Sequence, residues 1–567
     1  MRSAEAAAVA AEEIADEQTA DEQQSDAGVA ESALVQNSIT GSAWTLVSRM
    51  SGLVRVVVIG AVLGATFLGN TYQAINMLPN LIYYQLLAGS LFMSLLVPPL
   101  VTHIRNGDRA RADAFVRGFL GSILALALLG MCALLVASPL ILGLLSLGVA
   151  NDDAAAAQQR VGFLLLVLFA PQVLFYVIAG TGAAVMNAHG RFGLPAAAPT
   201  VENLVIILTL VLAALIFGLD VGISTVSTEE ILLLGVGTTA AVAIHAALQW
   251  FGARRHQMAM YPRAGWRDPE VRMLLGRIRA VLTYTGLEAL LLVATIIVAN
   301  RVAGGLVAFQ LALNFFYLPA AIVTWPVARA LVPRLANFHQ TRQMRDFRDD
   351  FFRAIALASF VAVPVAVAYA VAAPAIADAV AFGRLDTDAG TSYIAASILA
   401  LSPAVIAELW FTLGSYALYS QQNVAAPLRA MLIRFVVTLL LMIPALGTQG
   451  ARSLMLIGLA MAGGTLMGAF YLWRQATRTL PHADYSLARS LGRTAVASAV
   501  MLLPAGWAWI ALSGLPESQL GVAIRLGIAG LVGAAAFVAI QARLRAPEFL
   551  LIRASLARTI AMRPTGR

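Results

Sequence analysis

Residues 42–66 read SAWTLVSRMSGLVRVVVIGAVLGAT. Apart from Arg49 and Arg55 the run carries no charge, and it is long enough for one bilayer crossing, which takes about 20 apolar residues. Arg55 stands about twelve residues into the run, roughly 18 Å deep at 1.5 Å per residue. A side chain at that depth does not easily snorkel to water, whereas Arg49, about 9 Å deep, can. An ionisable residue inside a membrane span is a functional candidate by default. This stretch therefore proposes both the fold, a membrane helix, and a first site residue.

The whole chain repeats the theme. Of its 567 residues 60% are hydrophobic and 12% charged, and the mean hydropathy is +0.80. A soluble domain is about 45–50% apolar and about 25% charged. The composition implies an all-α polytopic membrane protein, since about 340 apolar residues supply spans by the dozen. Cys132, in the run MCALLV, is the single cysteine. It excludes a disulfide scaffold and cysteine-pair redox chemistry and reads as a small core residue. The pI near 9.9 does not argue for nucleic acid, because of where the charges fall.

Residues 1–37 form an acidic tail, with nine carboxylates from Glu5 to Glu31 against Arg2. The tail has too little apolar surface to offset its ordering entropy and is expected to be disordered. It lacks the basic start and apolar run of a signal peptide. Fourteen spans follow, near 42–66, 72–101, 115–147, 158–186, 195–217, 230–253, 278–300, 304–333, 353–383, 392–419, 426–446, 453–473, 492–513 and 520–541. Residues 542–567 make a basic tail with a helix expected along the membrane surface.

Arginine tests this count, since cytoplasmic loops are enriched in Lys and Arg. All 38 basic residues are Arg. With both termini in the cytoplasm, 30 fall on the inner side, counting span boundaries, and Arg160, Arg301, Arg384, Arg452 and Arg525 fall outside. A miscount by one span would scramble this alternation downstream.

Helix pairs recur weakly. Pro171 to Pro195 and Pro403 to Pro427 share one spacing at an offset of 232, and Leu78-Pro79 matches Leu318-Pro319 at an offset of 240. These matches suggest two six-helix lobes, 38–253 and 254–473, followed by two extra helices in 474–541. Parallel repeats of this kind occur in transporters, with the substrate site between the halves. The blander reading is that proline is frequent in membrane helices.

The membrane carboxylates Glu202, Glu288 and Glu408 are either structural partners for an arginine or, for the deeper Glu288 and Glu408, carriers of a cation or proton. His245 reads as a satisfied helix contact, and Asp378 as solvated. No GxSxG, HExxH or P-loop is present, so no enzyme site is expected and no metal or cofactor is implied. Without an ATP-binding domain, energy would come from membrane potential, a Na+ or H+ gradient, or the substrate gradient.

The segment Ser48-Arg49-Met50-Ser51-Gly52-Leu53-Val54-Arg55 resembles the SRxxGxxR opening of the MurJ/MviN lipid II flippases of the MOP exporter superfamily. Leu78-Pro79-Asn80-Leu81, Val97-Pro98, and the stretch from Asn187 through Pro195 and Pro199 to Glu202-Asn203 resemble further motifs of that family. The resemblance covers about residues 38–541. It implies fourteen spans, residence in the bacterial cytoplasmic membrane, and transfer of an undecaprenyl-diphosphate-linked peptidoglycan precursor from inner to outer leaflet. Arg49, Arg55, Asn80, Tyr83, Tyr84 and Asn314 occupy the corresponding substrate-binding positions. Departures accompany it: Asn70 stands where the family usually has Asp, Tyr83, Tyr84 and Ala88 where it usually has two Arg and a Glu, and Asn314 where its span 8 Arg aligns. Only Arg49 and Arg55 carry over from the cationic set. Implied partners are the lipid-linked glycan, membrane lipids and cell-wall synthesis proteins.

Three readings compete. One is a flippase, in which arginines hold a diphosphate that cannot cross hydrocarbon unaided. Another is a different MOP exporter, acting on a related isoprenoid-linked glycan or as a small-molecule antiporter, the latter with carboxylates and aromatics dominating its cavity. The last is a non-transporting scaffold for cell-wall enzymes. Transport in purified vesicles separates the scaffold from the other two.

Overall fold

The computed structural model describes residues 40–81, 96–149, 151–478, 480–481 and 485–553, without the side chains of 274–282, 325, 326 and 329. Among these residues every regular element is helical. The first helix, α1, is Thr40–Leu63. It is followed by α2 (Phe67–Leu81), α3 (Val97–Arg105), α4 (Arg109–Val136), α5 (Ser138–Leu145), α6 (Asp152–Phe169), α7 (Gln172–Ala188), α8 (Gly193–Phe217) and α9 (Thr228–Arg254). Then come α10 (Pro269–Asn300), α11 (Gly305–Pro319), α12 (Trp325–Gln340), α13 (Met344–Val380), α14 (Asp388–Ser420), α15 (Ala425–Met442) and α16 (Gly450–Thr477). The last three are α17 (Leu487–Val500), α18 (Leu502–Ala511) and α19 (Gln519–Arg543).

Thirteen described helical segments are long and apolar enough to cross a membrane. The remaining expected span, near 72–101, is represented by α2 and α3 at its two ends. The acidic tail, Tyr83, Tyr84 and Ala88 lie outside the described residues.

Short polar side chains start many of these helices by accepting hydrogen bonds from first-turn amides. Asp108 caps α4, Asn151 α6, Ser227 α9, Asp268 α10, Thr387 α14 and Ser518 α19. Prolines divide several spans, because they lack the N–H that continues a helix. Pro171 separates α6 from α7, and the α4–α5 and α17–α18 breaks fall just before Pro139 and Pro504. Pro319 ends α11 and leads into a π-helical turn, Ala320–Thr324. Pro403, by contrast, sits inside the continuous α14.

The helices pack in two groups. In the first, α9 packs on α6, α7 and α8, with α4 on α7 and α2 on α6. In the second, α14 is central, packed on α11, α12, α13 and α16, with α15 on α16. α10 and α11 touch α2 and join the groups, while α17 and α19 rest on α13. Large side chains such as Val136, Leu215, Leu503, Trp507 and Leu531 remain exposed, as suits helices whose outer surface meets lipid. Cys132 is exposed on α4 rather than in the core. In lipid an apolar side chain gains little from burial, so hydrophobicity alone does not place it inside.

At the arginine-poor end the two groups interlock. Gly304 N donates to Thr66 O at 3.2 Å. Gly304 has φ +73°, and a Cβ there would lie 2.2 Å from Ala65 Cα, so only glycine allows this approach. Asn70 Nδ2 donates to Val302 O at 2.7 Å, and Asn70 Oδ1 accepts from Leu306 N at 3.1 Å. Asn300 Nδ2 donates to Leu145 O at 2.6 Å, and Arg384 Nη1 to Val221 O at 2.9 Å. Loops separated by hundreds of residues thus meet on one side, as the alternation of arginine requires. At the arginine-rich end, residues 547–553 are helical. There Glu548 is buried against Tyr485 Oη, Ser490 Oγ and Arg493. The basic tail therefore starts as a docked helix rather than one lying free on a membrane.

Candidate functional site

α1 runs unbroken through Ser51 and Gly52, so Arg49 and Arg55, six residues apart, leave it on different sides. Adjacent residues of α8 hold the α1 motif. Asn203 Nδ2 donates to Ser51 Oγ at 2.9 Å and approaches Ser48 O at 3.4 Å. Glu202 Oε1 lies 4.0 Å from Arg55 Nη1.

Glu202 is buried and well satisfied. It accepts from Tyr176 Oη at 2.9 Å, and its other oxygen lies 2.6 Å from His245 Nδ1. His245 is therefore a helix contact between α9 and α8. Arg55 is the looser member of this group, 21% exposed in its side chain against 7% for Glu202. Its Nε is buried without a hydrogen-bond partner. A guanidinium anchored at the limit of ion-pair distance, with donors to spare, is suited to a phosphate, which it binds through a planar fork.

Arg49 is exposed on α1, and its charge reaches Tyr317 on α11. That tyrosine also lies within range of Glu288, Glu408 and Arg434. Arg49 therefore lies within electrostatic range of the second helix group, while Arg55 meets Glu202 of the first. Asn80 and Asn314 are half-buried, and each donates to a carbonyl one turn back, Asn76 O at 2.9 Å and Gln310 O at 2.8 Å.

The second group holds its own ion pair. Arg434 Nη1 on α15 lies 2.9 Å from Glu408 Oε2 on α14, with side-chain exposures of 6% and 17%. The guanidinium also sits over Phe411, 5.2 Å from its ring centre. Glu288 on α10 is half-buried, within electrostatic range of both. Arg434 corrects the sequence reading, which counted it as a loop-boundary residue on the inner side. It stands nine residues past Ala425, about 13 Å into the helix, and that depth was the missed signal. Tyr176 was also missed, since a tyrosine in an apolar run does not disclose its partner. Among the described residues no group of three His, Cys, Asp or Glu is arranged to hold a metal ion.

The arginine-rich end carries a surface network. Arg111 pairs with Asp268 and Glu270, each at 3.0 Å, and His103 Nε2 lies 3.1 Å from Glu270 Oε1. Burial pushes the Asp268 carboxyl up, but the Glu270 amide and the Arg111 guanidinium outweigh it and hold it below the ordinary range.

Comparison with known proteins agrees with this architecture. A family profile described as lipid II flippase MurJ matches residues 59–528. A probable lipid II flippase MurJ of Rhizobium tropici is 26% identical over 93% of this chain and 97% of its own length. Another from Haemophilus influenzae is 25% identical over 58% of this chain, which spans 64% of that protein. Among solved structures, a lipid II flippase MurJ in an inward closed conformation superposes with a TM-score of 0.68 at 17% identity, covering 89% of this chain and 98% of that one. An inward-facing multidrug transporter of the MATE family gives 0.57 at 15% identity, covering 77% and 99%.

Proposed function

The chain belongs to the lipid II flippase MurJ family, and from that membership we propose that it carries an undecaprenyl-diphosphate-linked peptidoglycan precursor, lipid II, from inner to outer leaflet. The carrying observation is Arg55, a deep guanidinium held by Glu202 at 4.0 Å with its Nε unpartnered. Arg49 receives the diphosphate nearer the arginine-rich end, and Arg55 takes it deeper into the membrane. Tyr83, Tyr84 and Asn314 stand where relatives of this type use charge, and Asn80 adds a further neutral contact. The arginine-rich end is cytoplasmic, with both termini there. The seam around Asn70 and Gly304 holds the opposite side shut while substrate enters, and rocking of 38–253 against 254–473 opens it.

The second helix group supplies the coupling. With Arg434 balancing one of two carboxylates, Glu288 and Glu408 leave one negative charge for a proton or Na+ driven by the membrane potential. Complementation of cells depleted of their lipid II flippase tests the substrate. Rescue by the wild type but not by Arg55→Ala at equal protein level supports the proposal. Failure of the wild type, with the chain correctly inserted, refutes lipid II. Flipping in vesicles under an imposed pH or Na+ gradient, with Glu288→Gln as the variant, tests the coupling. Unchanged gradient dependence in the variant refutes it.

A further inference from the structure

A groove of about 500 Å3 opens between α10 and α15, away from the site just described. Leu287 and Leu290 line it from α10, and Leu428 and Leu432 from α15. Leu290 and Leu432 are both exposed. Gly286 lies between them, and a Cβ there would meet nothing within 4 Å. The missing side chain thus leaves open space rather than close packing.

One end of the groove is polar. Thr283 and Arg429 close it. Each stands roughly 25 Å along its helix from the arginine-poor end at Asn300 or Gly447, by 1.5 Å per residue. The hydrocarbon core is about 30 Å thick, so both lie at headgroup depth on the arginine-rich side. Arg429 is exposed, and none of the hydrogen bonds or ion pairs among the described residues involves it. Its neighbour in sequence and in charge, Arg434, faces the opposite side of α15, toward Glu408. The groove therefore combines one uncompensated cation at headgroup depth with an apolar trough running toward mid-membrane.

We infer that this groove binds an anionic glycerophospholipid of the leaflet at the arginine-rich end, its phosphate on Arg429 and one acyl chain along the four leucines. Basic pockets between membrane helices select acidic headgroups in this way. A zwitterionic lipid carries its own counter-charge and gains less from the guanidinium. The volume suits one chain and part of a headgroup, within the usual 300–1,000 Å3 of ligand sites.

Native mass spectrometry of the full chain, titrated with phosphatidylglycerol or phosphatidylcholine of identical chains, tests the inference. The wild type is expected to prefer phosphatidylglycerol about tenfold, the scale of one charge-assisted contact. Arg429→Gln should abolish the preference and Arg429→Lys retain most of it. Gly286→Leu puts a side chain into the trough, where a Cβ meets nothing within 4 Å, and should weaken both lipids alike. A wild type without preference, or Arg429→Gln with the preference intact, overturns the inference. Displacement of phosphatidylglycerol by equimolar undecaprenyl phosphate overturns the choice of occupant and gives the groove to polyprenyl lipids.

Discussion

The two helix groups bury ion pairs of opposite presentation. Around α8 the carboxylate of Glu202 is the hidden member, held by His245 and Tyr176, and Arg55 is the exposed one, 21% against 7%. Around α14 and α15 the order is reversed, with Arg434 at 6% and Glu408 at 17%. One half therefore turns a cation outward and the other a carboxylate, although each contains both. The contrast teaches that a membrane charge is read by its partner's burial as much as by its own sign. The proposed division of labour, anion binding in the first half and cation or proton binding in the second, follows that difference in presentation.

The largest expected effect breaks the second pair. Arg434→Met leaves Glu408, half-buried and within electrostatic range of Glu288, without a counter-charge and should cost up to about 3–5 kcal/mol of stability. The double variant Arg434→Met with Glu408→Leu should recover most of the loss. Denaturant unfolding in micelles measures both. A loss below about 1 kcal/mol in the single variant would show that the pair is solvated and the contrast false.

Substitution of Arg55 asks whether the exposed cation serves substrate. Arg55→Ala should lower flipping about ten- to hundredfold, the value of a charge-assisted contact of roughly 1.5–3 kcal/mol. Arg55→Lys should keep the charge without the fork and act partially. Full activity in the alanine variant removes the diphosphate role, and loss of folded protein would make Arg55 a purely structural partner of Glu202.

Glu202→Gln sharpens the comparison from the other side. Because Arg55 is partly hydrated, the cost should be about 1–3 kcal/mol, below that of Arg434→Met. Equal losses in the two variants would mean that presentation does not matter.

The smallest effect serves as a reference at the surface. Arg111→Ala removes exposed ion pairs and should cost about 0.2–1 kcal/mol. Asp268 has its pKa depressed in the fold, so its contribution is present above the ordinary carboxylate range. It is lost as pH falls through the lowered folded value. Unfolding measured from neutral to acid pH should show that loss in the wild type and a smaller one in Arg111→Ala, where the Glu270 amide still holds the Asp268 carboxyl down. An acid dependence unchanged by the substitution would assign it elsewhere.

Much of the fold was legible because lipid imposes a one-dimensional rule. Every span must be long and apolar, and arginines gather at one end of each pair of spans. The prolines, read only as marks of a repeat, act unequally: helices break at Pro171 and Pro319, while Pro403 sits inside the continuous α14. The site was legible only in part. Arg55 declared itself by depth, while Arg434 was hidden at the edge of a loop count. Asn70, read as a departure from an acidic residue, proved to donate as well as accept across the seam at the arginine-poor end, which a carboxylate cannot do.

The sequence by itself determined that this chain is a polytopic helical membrane protein with guanidinium groups inside the bilayer, because hydropathy and charge act locally along the chain. Only the tertiary structure decided which carboxylate meets which arginine, because Arg55 finds Glu202 and not Glu288 or Glu408 through the packing of helices distant in sequence. Partner choice depends on distances of a few ångström between side chains on different helices, up to about 150 residues apart along the chain. No periodicity along one helix encodes those distances.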